Sequence, residues 1–113
     1  MHEYSIVQAL LDRVASEARA HSAFAVHRIR VQIGEASGVE PDLLETAFEL
    51  ARTGTLCEAA ELEIVPVPAK WECGSCGAEI GKGQILRCLP CERPARMVQG
   101  DEIVLERIEM EAA

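Results

Sequence analysis

Four cysteines within a 19-residue window constrain the fold of this chain more than any other feature of its 113 residues. They form two Cys-x2-Cys pairs, Cys73 with Cys76 and Cys88 with Cys91, and 11 residues separate the pairs. Zinc suits four thiolate ligands in a tetrahedron at about 2.3 Å, and each pair can offer two of them. Because the segment between the outer cysteines contains no histidine, ligation by the four cysteines alone is expected.

Structural zinc is the favoured interpretation of these pairs, and two alternatives stay open. A redox-active dithiol is disfavoured, because two pairs close together in sequence match metal capture better and no thioredoxin-like helix follows either pair. Iron in the same sulfur cage is the other alternative, because tetrahedral sulfur suits both metals. A closed four-sulfur site leaves no position for a substrate, so the metal is expected to hold shape and not to catalyse.

The residues around the cysteines refine this expectation. Gly77 follows the first pair, where a left-handed residue lets backbone amides point at sulfur. Glu92 stands at the same place after the second pair, so the geometry there is predicted to be less ideal. The fifth cysteine, Cys57, is predicted to be a small buried apolar group. A reactive thiol is disfavoured there, because the neighbouring Glu58 would raise its pKa.

The charge balance excludes several classes of protein. Nineteen acidic residues against 11 basic ones give a net charge of −8, whereas nucleic-acid binders need a basic face. No apolar run approaches the ~20 residues of a membrane span. The first four residues, Met-His-Glu-Tyr, lack the features of a secretory signal. We therefore expect a cytoplasmic protein that binds neither nucleic acid nor membrane.

Hydrophobic periodicity predicts the first two elements. Apolar residues recur every three to four positions over 5–19, which indicates an amphipathic helix. Residues 27–33 alternate between apolar and polar side chains, which indicates a half-buried strand. In this alternation His27 shares a face with Ile29, so its side chain is predicted to point into the core.

A second helix is predicted to begin at Pro41, which suits the first helical position. Ser37 and Glu40 could form a capping box there, and the pattern does not choose between them as the cap. Thr53 and Gly54 are predicted to stop this helix.

Two more strands complete the predicted sheet. Residues 61–65 form the first of them, and Pro66 and Pro68 are expected to end it because proline cannot continue a ladder. The last strand follows Gly100, and its alternation slips by one position between residues 105 and 108, which requires a bulge or a change of face. The predicted fold is α+β, with a small three-stranded mixed sheet, two helices and an inserted four-cysteine zinc-ribbon module.

The N-terminus offers a second group of metal donors. The amine of Met1, the amide and imidazole of His2, and the amide and carboxylate of Glu3 could close chelate rings around one ion. Such a planar, nitrogen-rich set suits Ni(II) or Cu(II) better than zinc. Taken alone the signal is weak, since a histidine at position 2 is usually just an exposed terminus.

These features together resemble the HypA/HybF family of hydrogenase nickel-incorporation proteins. The resemblance rests on Met-His-Glu leading directly into a helix, on Gly34, on the stretch 37–42 (Ser-x-Val-x-Pro-Asp) and on the two cysteine pairs, in that order. It implies a nickel metallochaperone, not an enzyme. It also implies a nickel-binding domain, 1–68 with 98–113, and a zinc-binding domain, 69–97. The implied partners are the accessory GTPase HypB, the [NiFe]-hydrogenase large subunit and, in some organisms, urease accessory proteins.

Carried onto this chain, the resemblance implies that His2 binds nickel with help from the Glu3 backbone and the Met1 amine. An acidic residue near the start of the second helix is implied as a nickel neighbour, and Glu40 is the candidate. The resemblance further implies zinc ligands at four positions: Cys73, Cys76, Cys88 and Cys91.

A competing hypothesis makes the chain a zinc-ribbon protein-interaction module without nickel transfer. It explains the cysteines and leaves the N-terminal motif incidental. The sequence contains neither a Gly-rich phosphate loop nor a Ser-His or Cys-His pairing at recognisable spacing, which argues against an enzyme. Monomer and homodimer both remain open.

Overall fold

A computed structural model describes residues 2–81 and 83–113, except for the side chain of His2. The described part of the chain contains two helices and seven strands: α1 (His2–Ala20), β1 (Ala23–Gly34), α2 (Pro41–Ala51), β2 (Glu61–Val67), β3 (Lys70–Cys73), β4 (Glu79–Ile80), β5 (Arg87–Cys88), β6 (Arg93–Gln99) and β7 (Ile103–Ala112). The radius of gyration is 18.0 Å, against the about 13 Å expected of one compact domain of this length. The molecule is therefore elongated.

The first sheet has the strand order β2-β1-β7. Strand β1 pairs in parallel with β2 and antiparallel with β7, so the sheet is mixed. Helix α2 lies on the connection between the two parallel strands, which need such a crossover. The predicted α+β fold with a three-stranded mixed sheet and two helices is confirmed.

One hydrophobic core joins the two helices to this sheet. The apolar stripes of α1 and α2 pack together against the first sheet, and aliphatic side chains supply most of the buried volume. The buried members are Val7, Leu10, Leu11, Val14, Val26, Ile29, Val31, Ile33, Leu44, Phe48, Cys57 and Ala60. No described residue of the segment 69–97 belongs to this cluster.

The prediction that His27 points into the core is wrong. The register between β1 and β7 shifts between Val26 and Arg28, so that His27 is an extra residue that is not paired with any residue of β7 in the strand register. Such a bulge breaks the alternation of side chains between the two faces. The His27 side chain is 58% exposed, and its Nε2 lies 2.8 Å from a carboxylate oxygen of Glu111.

The predicted slip in the last strand is confirmed as a bulge at Glu106. Arg30 pairs with Arg107 and the next residue, Val31, pairs with Leu105, so Glu106 is the additional residue of β7. Its carboxylate accepts hydrogen bonds from Gln32 Nε2 (2.7 Å) and Arg30 Nη1 (3.2 Å). The bulge therefore aims an acidic side chain at two polar side chains of β1.

Strand β2 extends past the predicted end at residue 65. Pro66 lies inside it opposite Ile33, and the strand continues to Val67. Because β2 is at the edge of the sheet, Pro66 can lack an N–H without removing a bond from a central ladder. The prediction that Pro66 ends the strand is therefore wrong.

The capping box at the start of α2 does not form either. The N-cap residue is Glu40, and its side chain makes no cap hydrogen bond. The Ser37 hydroxyl instead accepts a hydrogen bond from the Val39 amide at 3.3 Å, which closes a local turn. At the other end the helix stops at Ala51, and Gly54 has a φ of +81°, as expected of a terminating glycine.

The inserted segment forms a second, antiparallel sheet with the strand order β4-β3-β6-β5. Two short connections join it to the first sheet, and they meet the end of β1. The Gly34 amide donates to Glu102 O (2.8 Å), and the Ala36 amide donates to Gly100 O (2.7 Å).

Neither helix in the described part of the chain combines the length and the apolarity needed to cross a bilayer.

Candidate metal centre

The four cysteines converge on one point. Their Sγ atoms all lie within 4.8 Å of one another, and Cys76 Sγ is 3.8 Å from Cys88 Sγ. A tetrahedron of sulfur atoms about 2.3 Å from a central ion has edges of roughly 3.8 Å. The donor set therefore fits a tetrahedral metal ion of the zinc type.

Strand pairing brings the two cysteine turns together. Cys73 ends β3 opposite Ala95 of β6, and Cys88 ends β5 opposite Arg93 of the same strand. Because β6 pairs with both strands, the turn that follows each of them lies at the same end of the sheet. Antiparallel pairing thus places two sequence-local Cys-x2-Cys turns around one position.

Electrostatics favour a cation at this position. Amide hydrogen bonds from Cys76 (3.4 Å) and Ser75 (3.3 Å) lower the pKa of the Cys73 thiol to about 6. Hydrogen bonding to the sulfurs of Cys76, Cys73 and Cys88, together with burial, raises the pKa of Cys91 to about 12. Four thiolates at this spacing repel one another, so a bound dication is needed to keep all four ionised at neutral pH, and binding releases protons.

The two turns share an unusual backbone conformation. Gly77 has a φ of +75° and Glu92 a φ of +51°, so a left-handed residue follows the second cysteine of each pair. Glycine adopts this region without cost, whereas a residue with a Cβ loses about 1–2 kcal/mol there. The second turn was predicted to have less ideal geometry; it adopts the same left-handed conformation as the first, and the cost of that conformation falls on Glu92.

Replacing Glu92 by glycine should stabilise the metal-bound form. We expect a gain of about 1 kcal/mol in the free energy of unfolding, because the relief of left-handed strain outweighs the higher entropy of glycine in the unfolded chain. Thermal unfolding of the metal-loaded Glu92→Gly variant measures this gain. The Glu92→Ala variant is the control, since it removes the carboxylate and keeps the Cβ. Equal stabilisation by both substitutions would contradict the strain explanation.

The residues predicted to bind nickel are described only in part. Met1 and the His2 side chain lie outside the described residues. Glu3 is in the first turn of α1 and is half-buried, whereas Glu40 is exposed at the start of α2. Glu3 Oε2 accepts a hydrogen bond from the Glu40 amide at 3.3 Å. The structure therefore brings together the two acidic residues of the predicted set.

Cys57 and His21 lie away from the four-cysteine group. Cys57 is buried in the main core, as predicted, and burial raises the pKa of its thiol. Glu58 was predicted to raise this pKa, but burial is the cause, and the Glu58 carboxylate accepts a hydrogen bond from the Gly54 amide at 3.0 Å. His21 follows α1, with its Nε2 3.8 Å from a carboxylate oxygen of Glu17.

Sequence patterns did not reveal the junction between the two sheets. The Ala69 amide donates to Glu35 Oε1 at 2.9 Å, and the Glu35 amide donates to Val67 O at 2.8 Å. An apolar cavity of about 530 Å³ adjoins this junction and reaches Glu40. The residue pairs are more than 30 positions apart, so the only signal in the sequence is the pair of glycines, Gly34 and Gly100, that mark close backbone approach.

Comparison with known proteins agrees with this architecture. The family model described as "Hydrogenase/urease nickel incorporation, metallochaperone, hypA" matches residues 1–110. The chain belongs to the HypA family. It is 45% identical to the hydrogenase maturation factor HypA of Wolinella succinogenes, over 99% of this chain and 97% of that protein. The corresponding factor of Nitrosospira multiformis is 42% identical over 97% of both chains.

Solved HypA structures share the fold. The solution structure of the Ni metallochaperone HypA from Helicobacter pylori aligns with a TM-score of 0.74 and 31% identity, over 98% of both chains. A second solution structure of a HypA protein aligns with a TM-score of 0.79 and 32% identity, over 100% of this chain and 98% of the other. The family resemblance inferred from the motifs is confirmed, and with it a role in hydrogenase maturation and a four-cysteine metal-binding group.

Proposed function

We propose that this chain binds Ni(II) at its N-terminus and delivers it during maturation of [NiFe]-hydrogenase, with urease as a further recipient system. The observation that carries the proposal is membership of the HypA family over residues 1–110, a range that includes the N-terminal Met-His-Glu. The chain is a carrier in this proposal and not an enzyme: it makes and breaks coordination bonds to its cargo only.

The proposed nickel donors are the amine of Met1, the amide and imidazole of His2, and the amide of Glu3. Deprotonated amide and imidazole nitrogens give the planar field that Ni(II) favours. Glu40 is proposed as an acidic neighbour, and its contact with Glu3 supports a position beside the terminus. Transfer proceeds by ligand exchange, in which an incoming donor coordinates the ion before the terminal nitrogens release it.

The four-cysteine group is proposed to hold zinc, which when bound closes the sulfur tetrahedron and fixes the second sheet. The sulfur spacing and the lowered pKa of the Cys73 thiol support this assignment. The two separate sheets and the location of the core support a division into a nickel-binding domain, 1–68 with 98–113, and a zinc-binding domain, 69–97.

The proposed partners follow from the same family. They are the accessory GTPase HypB, the large subunit of [NiFe]-hydrogenase and urease accessory proteins. The proposed location is the cytoplasm. The absence of a phosphate-binding loop from the sequence supports nucleotide hydrolysis by a partner. The net charge of −8 suits a protein that attracts a dication and avoids nucleic acid.

Replacing His2 by alanine should abolish the high-affinity nickel site and leave the zinc content unchanged, because the imidazole is one of the four planar donors. Nickel titration of the untagged chain should give a planar d–d absorption band that is lost in His2→Ala. His21→Ala is the matched control, since it removes an exposed imidazole at the other end of α1. Unchanged nickel affinity in His2→Ala would contradict the proposed function.

That negative result would favour the second candidate, a zinc-ribbon interaction module without nickel transfer. Exposed aliphatic side chains in the segment of the second sheet support this candidate: Ile85 is 75% exposed and Leu89 is 74% exposed. Clustered exposed apolar groups often mark protein interaction sites.

A further inference from the structure

We infer that the carboxylate of Glu3 is a positioning group that caps the N-terminus of α2 and so holds the nickel-binding terminus in place. The inference rests on the proposed function for its consequence in nickel binding. The contact on which it depends joins Glu3 Oε2 to the Glu40 amide nitrogen at 3.3 Å. Glu3 then acts through its side chain as well as through its main chain.

The residues at the start of α2 supply no side-chain acceptor for its N-cap amide. Its N-cap residue, Glu40, has an extended conformation (φ −87°, ψ 116°) and makes no side-chain cap. In a capping box the third helical residue reaches back to the N-cap amide, but that residue is Leu43, whose side chain has no acceptor. The hydroxyl of Ser37 is bonded to the Val39 amide instead.

Glu3 supplies the missing half of the box from another helix. Its Oε2 accepts the Glu40 N–H at 3.3 Å, across 37 positions of the sequence. A carboxylate there also interacts favourably with the positive end of the α2 dipole, as does the acidic first-turn residue Asp42. This charge-assisted hydrogen bond thus links the start of α2 to the first turn of α1.

This contact restrains the first turn of α1 at Glu3. The first turn of a helix frays because its four leading N–H groups have no intrahelical carbonyl. For the same reason, using the Glu3 amide as a nickel ligand breaks no hydrogen bond of the α1 ladder. Anchoring the carboxylate of Glu3 on α2 restricts the amide and its neighbour His2 before nickel arrives, so less conformational entropy is lost on binding.

The test compares Glu3→Ala and Glu3→Gln in the full-length, untagged, zinc-loaded chain. Glutamine keeps a side-chain oxygen that can accept the Glu40 amide, whereas alanine keeps none. Glu17→Ala is the matched control, because it removes one charge from the same helix at a residue whose ion pairs, with Arg13 and His21, are local. Two quantities are measured: the NMR shift and hydrogen exchange of the Glu40 amide before nickel is added, and the nickel affinity by chelator competition.

We expect Glu3→Ala to shift the Glu40 amide resonance, to speed its exchange about tenfold, and to weaken nickel binding about fivefold, the factor of a typical lost cap. Glu3→Gln should stay within about twofold of the wild type in both measurements, with the d–d band unchanged. Glu17→Ala should change neither quantity.

Two results would overturn the inference. A Glu40 amide that does not respond to Glu3→Ala would show that the cap is not made. Equal loss of nickel affinity in Glu3→Gln and Glu3→Ala, with an altered d–d band, would identify the carboxylate as a nickel ligand and not a positioning group. Failure of the proposed function is distinguishable, since it appears as nickel affinity unaffected by His2→Ala while the Glu40 amide still reports the cap.

Discussion

Replacing Cys76 by serine should remove the metal and unfold the second sheet while the first sheet keeps its structure. The four Sγ atoms share one site within 4.8 Å, and three thiolates leave it open. Structural zinc contributes about 10–16 kcal/mol of apparent binding free energy in small domains, which a segment poor in large apolar groups cannot replace. In the described part of 69–97, the buried apolar side chains are Cys73 and Cys88 themselves.

The first sheet should survive because its core is independent of the metal. Every buried member of the core cluster lies between Val7 and Ala60, and its partly buried contacts include Leu105 and Ile108 of β7. We therefore expect the helical far-UV circular dichroism signal to persist in Cys76→Ser. Loss of both sheets together would contradict the independence of the two sheets.

Two measurements check this prediction. Metal content by elemental analysis should fall well below that of the wild type in Cys76→Ser. The only tryptophan of the chain, Trp71, lies in β3, so its fluorescence should shift towards that of an unfolded segment. Cys57→Ala is the matched control: it removes a buried thiol from the core beside the first sheet and should retain the metal.

Replacing Gly34 by alanine should destabilise the whole chain by about 2–3 kcal/mol, the cost of overpacking against a rigid neighbour. A Cβ on Gly34 would collide with the carbonyl group of Gly100, and would lie 2.9 Å from the Asp101 amide nitrogen. These are backbone atoms, and the Gly34 amide is itself bonded to Glu102 O, so neither side can retreat without losing a hydrogen bond.

Gly100→Ala should have a similar or larger effect. Its Cβ would lie 2.5 Å from Ala69 Cα, and its φ of +103° is strained for any residue with a side chain. Gly74→Ala is the control, because a Cβ there meets no atom within 4 Å. Chemical unfolding followed by circular dichroism measures all three variants. The prediction fails if Gly34→Ala and Gly74→Ala unfold at the same denaturant concentration.

Local patterns in the sequence predicted most elements of the first sheet. The periodicity of 5–19 falls within α1, and the irregular alternation near residue 106 marked a real bulge. The predictions for His27 and Pro66 were wrong because the pairing of strands overrode the local sequence pattern. His27 alternates correctly with Ile29 in sequence, but a bulge against β7 turns it to solvent. Pro66 ends a central strand by general rule, yet β2 is an edge strand and tolerates it.

The candidate sites divide in the same way. The sequence alone determined the four-cysteine group, because each Cys-x2-Cys turn is local and four thiolates need a cation wherever they meet. Only the tertiary structure decided that Glu3 meets Glu40 and that Gly34 meets Gly100, since these contacts join residues 37 and 66 positions apart. Such contacts depend on strand register and helix packing. Packing of the hydrophobic core sets both, so the residues in contact do not reveal their pairing in the sequence.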